Sequence, residues 1–222
     1  MSKPTLKLDW NSIRTVLLDM DGTLLDQHFD NHFWQEHLPL RWGAQQGLDL
    51  AAAKAELAPR FRAVEGTLDW YCLDYWSREL QLDIAELKHE LAHLIRVRPR
   101  VHDFLHAVRG MGKRMLLVTN AHGSALELKM HHTDIADHFD CIVSSHELGH
   151  PKESSAFWQA LREREKFEND NTLLVDDSLA VLETARRFGI CYLVAINRPD
   201  SRFPSRETPG FDSVESLADL LV

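Results

Sequence analysis

Cysteine is scarce in this chain. Cys72, Cys141 and Cys191 are all it has, and no two stand at the close spacing of a metal clamp or a redox pair. They read as reduced, structural thiols, which fits a cytoplasmic protein better than a disulfide-stapled one. Long apolar runs are missing too, since none approaches the roughly 20 residues that a membrane-spanning helix requires. The first residues, MSKPTLKLDWNS, have no apolar leader core, so neither secretion nor a membrane partner is expected. Positive charge is not in excess. The formal net charge is −9, and nucleic acid, which needs a basic face, is not an expected partner. A small phosphorylated ligand needs only one local positive site and remains compatible with that balance. There is no internal repeat and no low-complexity tract.

What is present is an ordinary globular composition, 44% apolar, in 222 residues. That length suffices for one sizeable domain or a domain with a smaller insert. Apolar segments at TVLLDM (15–20), RMLLVTN (114–120), CIVSS (141–145), TLLVDD (172–177) and CYLVAI (191–196) read as buried strands. Helical patterns separate the last four: ALELKMHHTDIADHF, AFWQALREREKF and LAVLETARRFG. RVHDFLHAVRG precedes the second strand, with Pro99 near its start and Gly110 at its end. Such alternation predicts an α/β fold, a Rossmann-like parallel sheet covered on both faces, with strand order 3-2-1-4-5. Residues 198–210 read as a loop before a last helix, SVESLADLL. Between residues 27 and 98 no strand is expected. Helical patterns fill that stretch, too long for an ordinary connection. It reads as a helical cap domain, 27–98, inserted into a core domain made of 1–26 and 99–222.

Polar residues gather where the apolar strands end. The first strand is followed by LLDMDGTLLD, in which Asp19 and Asp21 stand two apart and so point the same way from an extended chain. Thr119 and Asn120 end the second strand, Asp176 and Asp177 the fourth, and Lys152 stands in the loop after the third. Ligands of open α/β sheets bind at these carboxyl ends. The aspartates around one crevice repel one another unless cations intervene. A divalent ion held by oxygens, Mg2+ above all, together with Lys152 would relieve that and hold a phosphoryl group. Gly22 suits a tight turn with positive φ.

DMDGTLLD, LLVTN, Lys152 and LLVDDS, in this order, resemble the four motifs of the haloacid dehalogenase superfamily, most of whose members are phosphatases. The helical insert is similar to that superfamily's first type of cap. The resemblance implies that Asp19 is the nucleophile and forms an aspartyl-phosphate. It implies that Asp21 is the general acid and then the base, and that its backbone carbonyl binds metal. Thr119 would donate to a phosphoryl oxygen and Lys152 would offset charge. Mg2+ would be held by Asp19, Asp21 and Asp177, with Asp176 in support. Asp21 favours ester hydrolysis over dehalogenation, because an alkoxide leaving group needs a proton and a halide does not. In GHPKES the proline precedes the lysine, where the superfamily often has it following, so the path of that loop departs from the pattern.

WYCLDYWS, TNAH, PKE and DDS are further similar to the purine nucleotidases of that superfamily, which implies GMP and IMP as substrates. Asn120, Trp70, Tyr71, Trp76 and Asp69 are then candidate substrate contacts. Asp69 or Asp74 would accept from a purine N1–H. Packing alone also explains the aromatic stretch, since Tyr71 and Tyr75 share a helical face. Among the histidines, His89 and His93 have ligand spacing but no further partner, while His122 and His150 flank the motifs. Phosphatase action on a sugar phosphate or another small metabolite is the competing enzymatic reading. A phosphoacceptor receiver domain also combines an acidic pair, a Thr and a Lys. It distributes them over different strands, is about half this length, and has no place for the insert. A monomer or a homodimer suits either phosphatase.

Overall fold

The protein is described by a computed structural model over residues 8–221. Most of the N-terminal stretch read above for a leader lies outside the described residues. The first strand, β1 (Thr15–Leu18), is buried along its whole length. A strand apolar on both faces belongs in the middle of a sheet, and β1 is there. The helices that follow are α1 (His28–His32), α2 (Leu38–Gln46), α3 (Leu50–Val64), α4 (Leu68–Tyr71), α5 (Leu73–Leu80) and α6 (Ile84–His89). A π-helical turn, Phe33–His37, joins α1 to α2. Side chains close several of these helices at their N-termini: Asp49 accepts from Ala52 N, Cys72 from Tyr75 N and Asp83 from Glu86 N. The stretch DWYCLDYWSREL is therefore two helices, broken where Cys72 turns extended and caps α5.

The remaining elements alternate. They are α7 (Val101–Gly110), β2 (Arg114–Thr119), α8 (Gly123–His131), β3 (Cys141–Ser144), α9 (Ser145–Leu148) and α10 (Ser155–Glu165). After them come β4 (Thr172–Asp176), α11 (Leu179–Phe188), β5 (Tyr192–Ile196) and β6 (Asp212–Val214). The strands form one parallel sheet in the order β3-β2-β1-β4-β5-β6. The expected order is present, extended by one strand. The segment SVESLADLL is not the expected helix. Its start belongs to β6, and Leu217–Leu221 is a 3-10 turn. The long helix expected over residues 125–139 likewise stops at His131, where Thr133 Oγ1 donates to the Lys129 carbonyl at 2.8 Å.

Side chains alternate across the sheet. Val16, Leu18, Leu117 and Val175 pack on one face, and Leu17, Leu116, Val118 and Leu174 on the other. The first of these cores runs on without a gap into Phe29, Phe33, Leu57, Leu73 and Trp76 of the helical segment. Register then places the functional strand ends. Leu18 pairs with Leu117 on one side and Val175 on the other, and Asp19 N donates to Val175 O at 3.0 Å. Thr119, Asp19 and Asp177 accordingly emerge on one edge, the expectation of the sequence. No helix among the described residues is long and apolar enough to cross a membrane.

Leu17 is fully buried at the centre of the sheet. Leu17→Ala is expected to cost about 2–5 kcal/mol through lost transfer energy and the cavity left behind. Urea unfolding checks this: the midpoint falls while the denaturant slope stays the same.

Candidate active site

One lysine organises the strand ends. Lys152 Nζ lies 2.5 Å from Asp19 Oδ1, 2.7 Å from Asp176 Oδ2 and 3.1 Å from the Val118 carbonyl. It is 2% exposed, so these bonds form away from water. The unusual order Pro151-Lys152 does not shorten its reach. Asn120 Oδ1 accepts from Lys152 N at 2.9 Å, and the Trp158 indole N–H donates to Lys152 O at 2.8 Å. Opposing charges on both sides hold the ammonium well above the usual lysine range despite the cost of burial.

Carboxylates of Asp19, Asp176 and Asp177 converge, with one oxygen of each within 4.8 Å of the others. Asp176 is fully engaged, taking Lys152 on Oδ2 and Ser178 N on Oδ1 at 2.8 Å. Asp177 has Arg206 on Oδ2 at 3.2 Å. Asp19 Oδ2 is buried with no partner. A hard oxygen donor set with one orphaned carboxylate oxygen fits a divalent cation such as Mg2+. Burial, against Lys152 and reinforced by Asp176, pushes Asp19 up to about 6. Burial and then its neighbours Asp19 and Asp176 raise Asp177 well above the ordinary carboxylate range. Gly22 has φ 89°, and a Cβ there would lie 2.8 Å from Asp177 Cγ, so both the turn and the space require glycine.

Asp21 does not share this cluster. Its carboxylate turns to Lys129, whose Nζ lies 2.7 Å from Oδ1 in an ion pair without hydrogen-bond alignment. Lys129 also donates to Asp30 Oδ2 at 2.6 Å, and Lys88 donates to Asp30 Oδ1 at 2.6 Å. Burial pushes Asp21 up to about 6, Lys129 opposing and Asp30 and Asp19 adding to it. The Asp21 carboxylate thus pairs with Lys129, which leaves its backbone carbonyl as the group expected to meet a metal.

Other expected residues divide. Thr119, 1% exposed, accepts from Ala121 N on its hydroxyl at 3.0 Å. Asn120 donates to Glu153 Oε2 at 3.0 Å, and Tyr71 donates to Glu153 Oε1 at 2.6 Å. Trp70, Tyr71 and Asn120 line a polar cavity of about 460 Å³ together with Asp19, Asp177 and Arg206. Beside it is an aromatic cavity of about 590 Å³, walled by Trp34, Phe61, Trp70 and Trp76. Asp21, Gln27, Trp70 and Tyr71 border both. Trp76 is 1% exposed, and its indole donates to Trp70 O at 3.0 Å, so it serves as wall and core at once. Asp69 and Asp74 are exposed and line neither cavity, because α4 turns Asp69 outward and α5 Asp74. The expectation that either reads a base edge is corrected accordingly. Glu153, Arg206, Lys129 and Asp30 were not anticipated. Only Glu153 carried a signal, standing next to Lys152 in PKE.

This constellation at the carboxyl edge of a parallel sheet is that of a haloacid dehalogenase-like hydrolase. The model of that family matches residues 13–189, and the chain belongs to it. It is similar to the GMP/IMP nucleotidase YrfG of Escherichia coli, 41% identical over 216 residues and 97% of each chain. It is also 30% identical over 186 residues, 80% of each chain, to a phosphoglycolate phosphatase of Nitrosospira multiformis. Among solved structures, the HAD phosphatase of Thermococcus onnurineus superposes with a TM-score of 0.77 at 21% identity, over 94% of this chain and 96% of that one. That likeness shows the fold.

In the metal-free folded protein, Asp19 and Asp177 keep protons that an unfolded chain releases near pH 4. The contribution of Asp19 to stability therefore falls as pH rises from about 4 through about 6, and that of Asp177 falls as pH rises above about 4. Asp177→Asn is expected to make the metal-free protein more stable at pH 7, the gain vanishing towards pH 4. Arg206 is half exposed, so losing its pairing offsets little of this. Unfolding in chelator across that pH range reads the difference, and a pH-independent one contradicts the assignment.

Proposed function

We propose that the protein is a Mg2+-dependent phosphatase that hydrolyses purine nucleoside 5′-monophosphates, GMP and IMP, through an aspartyl-phosphate. The observation that carries this is the 41% identity to YrfG across 97% of both chains, a span that includes the helical segment as well as the sheet. A cytoplasmic enzyme suits the free thiols and a nucleotide substrate.

In this reading Asp19 attacks phosphorus in line, and the bond to the leaving 5′-oxygen breaks as Asp21 gives that oxygen a proton. A carboxyl raised to about 6 at Asp21 exchanges its proton closer to neutral pH than an ordinary carboxylate, which suits a group that gives a proton and then takes one back from water. Asp19, Asp177 and the Asp21 backbone carbonyl would hold Mg2+, with Asp176 in support, and the ion supplies charge screening for the incoming phosphoryl oxygens when bound. Lys152 keeps Asp19 directed and neutralises part of the charge, and Thr119 turns its hydroxyl proton to a phosphoryl oxygen.

Residues 27–98 act as the cap. The polar cavity takes the phosphoryl group, and the adjoining aromatic cavity takes the nucleoside. A sugar phosphate would leave those aromatic walls unused, whereas a base stacks on them for about 1–3 kcal/mol.

Phosphate release from a substrate panel tests the reading. GMP and IMP are expected to exceed AMP, pyrimidine monophosphates and sugar phosphates in kcat/KM by at least about tenfold. Chelator should abolish turnover and Mg2+ restore it, while Asp19→Asn should be inactive yet folded. Asp21→Asn is expected to lose about 10²–10⁴-fold on IMP and less on an aryl phosphate, whose leaving group needs no proton. AMP equal to GMP, or a sugar phosphate ahead of both, would overturn the substrate assignment.

A further inference from the structure

Cys72, His122 and His146 are far apart in the chain, yet one ligand atom of each lies within 4.8 Å of the others. Cys72 caps the start of α5 in the helical segment, His122 caps the start of α8, and His146 sits on α9. All are half-buried, which leaves an entry path from solvent. His146 is the most telling of the set. Its Nε2 is buried and has no partner. A buried imidazole nitrogen without a partner has a lone pair to offer a metal ion. The His122 ring meets it edge to face, with centroids 5.0 Å apart.

We propose that these side chains form a second metal site, for a soft divalent ion of the zinc class, separate from the all-oxygen cluster at Asp19. A thiolate and two imidazoles select such an ion over Mg2+. Three such ligands leave the fourth tetrahedral position to water, since Asp74 is exposed and stands outside the set. Binding releases the Cys72 thiol proton to solvent. It also moves the His122 proton from Nε2 to Nδ1, giving up the long 3.4 Å bond from Ser124 N. Cys72 belongs to the helical segment, and His122 and His146 to the sheet side. An occupied site therefore ties the two together. If the segment works as a cap, as proposed above, the ion restrains it and slows turnover.

Cobalt titration of the full chain tests the site without any turnover, so it stands or falls apart from the nucleotidase reading. One equivalent of Co2+ is expected to bind with a near-ultraviolet thiolate charge-transfer band and tetrahedral visible bands, and Zn2+ should displace it. Cys72→Ser keeps a capping oxygen for α5 and so keeps the fold. It should lose the charge-transfer band, and His146→Gln should weaken binding by about tenfold or more. Cobalt bound without a thiolate band, or with a band unchanged in Cys72→Ser, overturns the site. For the restraint, micromolar Zn2+ at saturating Mg2+ should inhibit wild-type hydrolysis of an aryl phosphate and spare Cys72→Ser. Equal inhibition of both overturns the restraint and places the inhibiting ion on the acidic cluster.

Discussion

A single buried ammonium makes the strand-end crevice possible. Asp19, Asp176 and Asp177 crowd one edge of the sheet, and each raises the charging cost of another. Lys152 compensates two of them directly. It can do so only because it is itself fixed from several directions: the Val118 carbonyl at the end of β2, the Asn120 side chain, and the Trp158 indole of α10. Removing the lysine would leave buried carboxylates without a counter-charge, a loss of a size that ordinarily unfolds or rearranges a site. The packing of α10 against the sheet is thus not separable from the chemistry. Trp158 is fully buried in the core and at the same time sets the path of the lysine's own backbone.

A second buried network links Asp21 to the helical segment. Lys129 stands between Asp21 and Asp30, and Lys88 on α6 closes the series from the far side. Lys88 Nζ lies over the rings of Phe29 and Phe33 at 4.8 and 4.5 Å, where their faces replace part of its lost hydration. Two ammonium groups hold Asp30 well below the ordinary carboxylate range in spite of burial. The consequence is an asymmetry between carboxylates only two residues apart. Asp19 faces Lys152 and the acidic cluster, whereas Asp21 faces Lys129 and the aromatic cavity. Different partners give them different work, which their shared direction along the chain does not reveal.

How much of this was legible in the sequence follows from the range of each signal. Apolar runs of four to six residues are local, and β1 to β5 were read from them together with their order. β6 escaped because Asp212-Ser213-Val214 is short and polar, and takes its place only through pairing with β5. Strand-end polar residues stood out against apolar neighbours, so Asp19, Thr119, Lys152 and Asp177 were expected at one edge, where the register gathers them. Lys129 did not, because a lysine on an amphipathic helix looks like any solvated one until the fold buries it. Arg206 sat in a stretch that read only as loop. Asp69 failed in the opposite direction, being chosen for its chemistry when α4 turns it to solvent. The grouping of Cys72 with His122 and His146 was invisible for a further reason. Its members lie on separate elements, and no spacing rule joins them.

The helical segment leaves and re-enters the sheet at a narrow neck, and the neck lies against the acidic loop. Asp26 N donates to Arg96 O, and Arg98 N donates to Leu24 O at 2.9 Å, so the outgoing and returning chains run bonded to each other. Arg98 then reaches the carbonyls of Arg198, Pro199 and Glu215, and Gln27 N donates to Pro199 O. Pro199 is also the residue that a Cβ on Gly22 would strike, at 2.9 Å. One compact junction therefore carries the entry, the exit, the loop after β5 and the turn between Asp21 and Asp177. The Gly22 turn packs directly against this junction and has no spare room beside Asp177. Position of the helices and geometry of the carboxylates are coupled here by contact, through a glycine whose missing side chain is what lets the two chains meet.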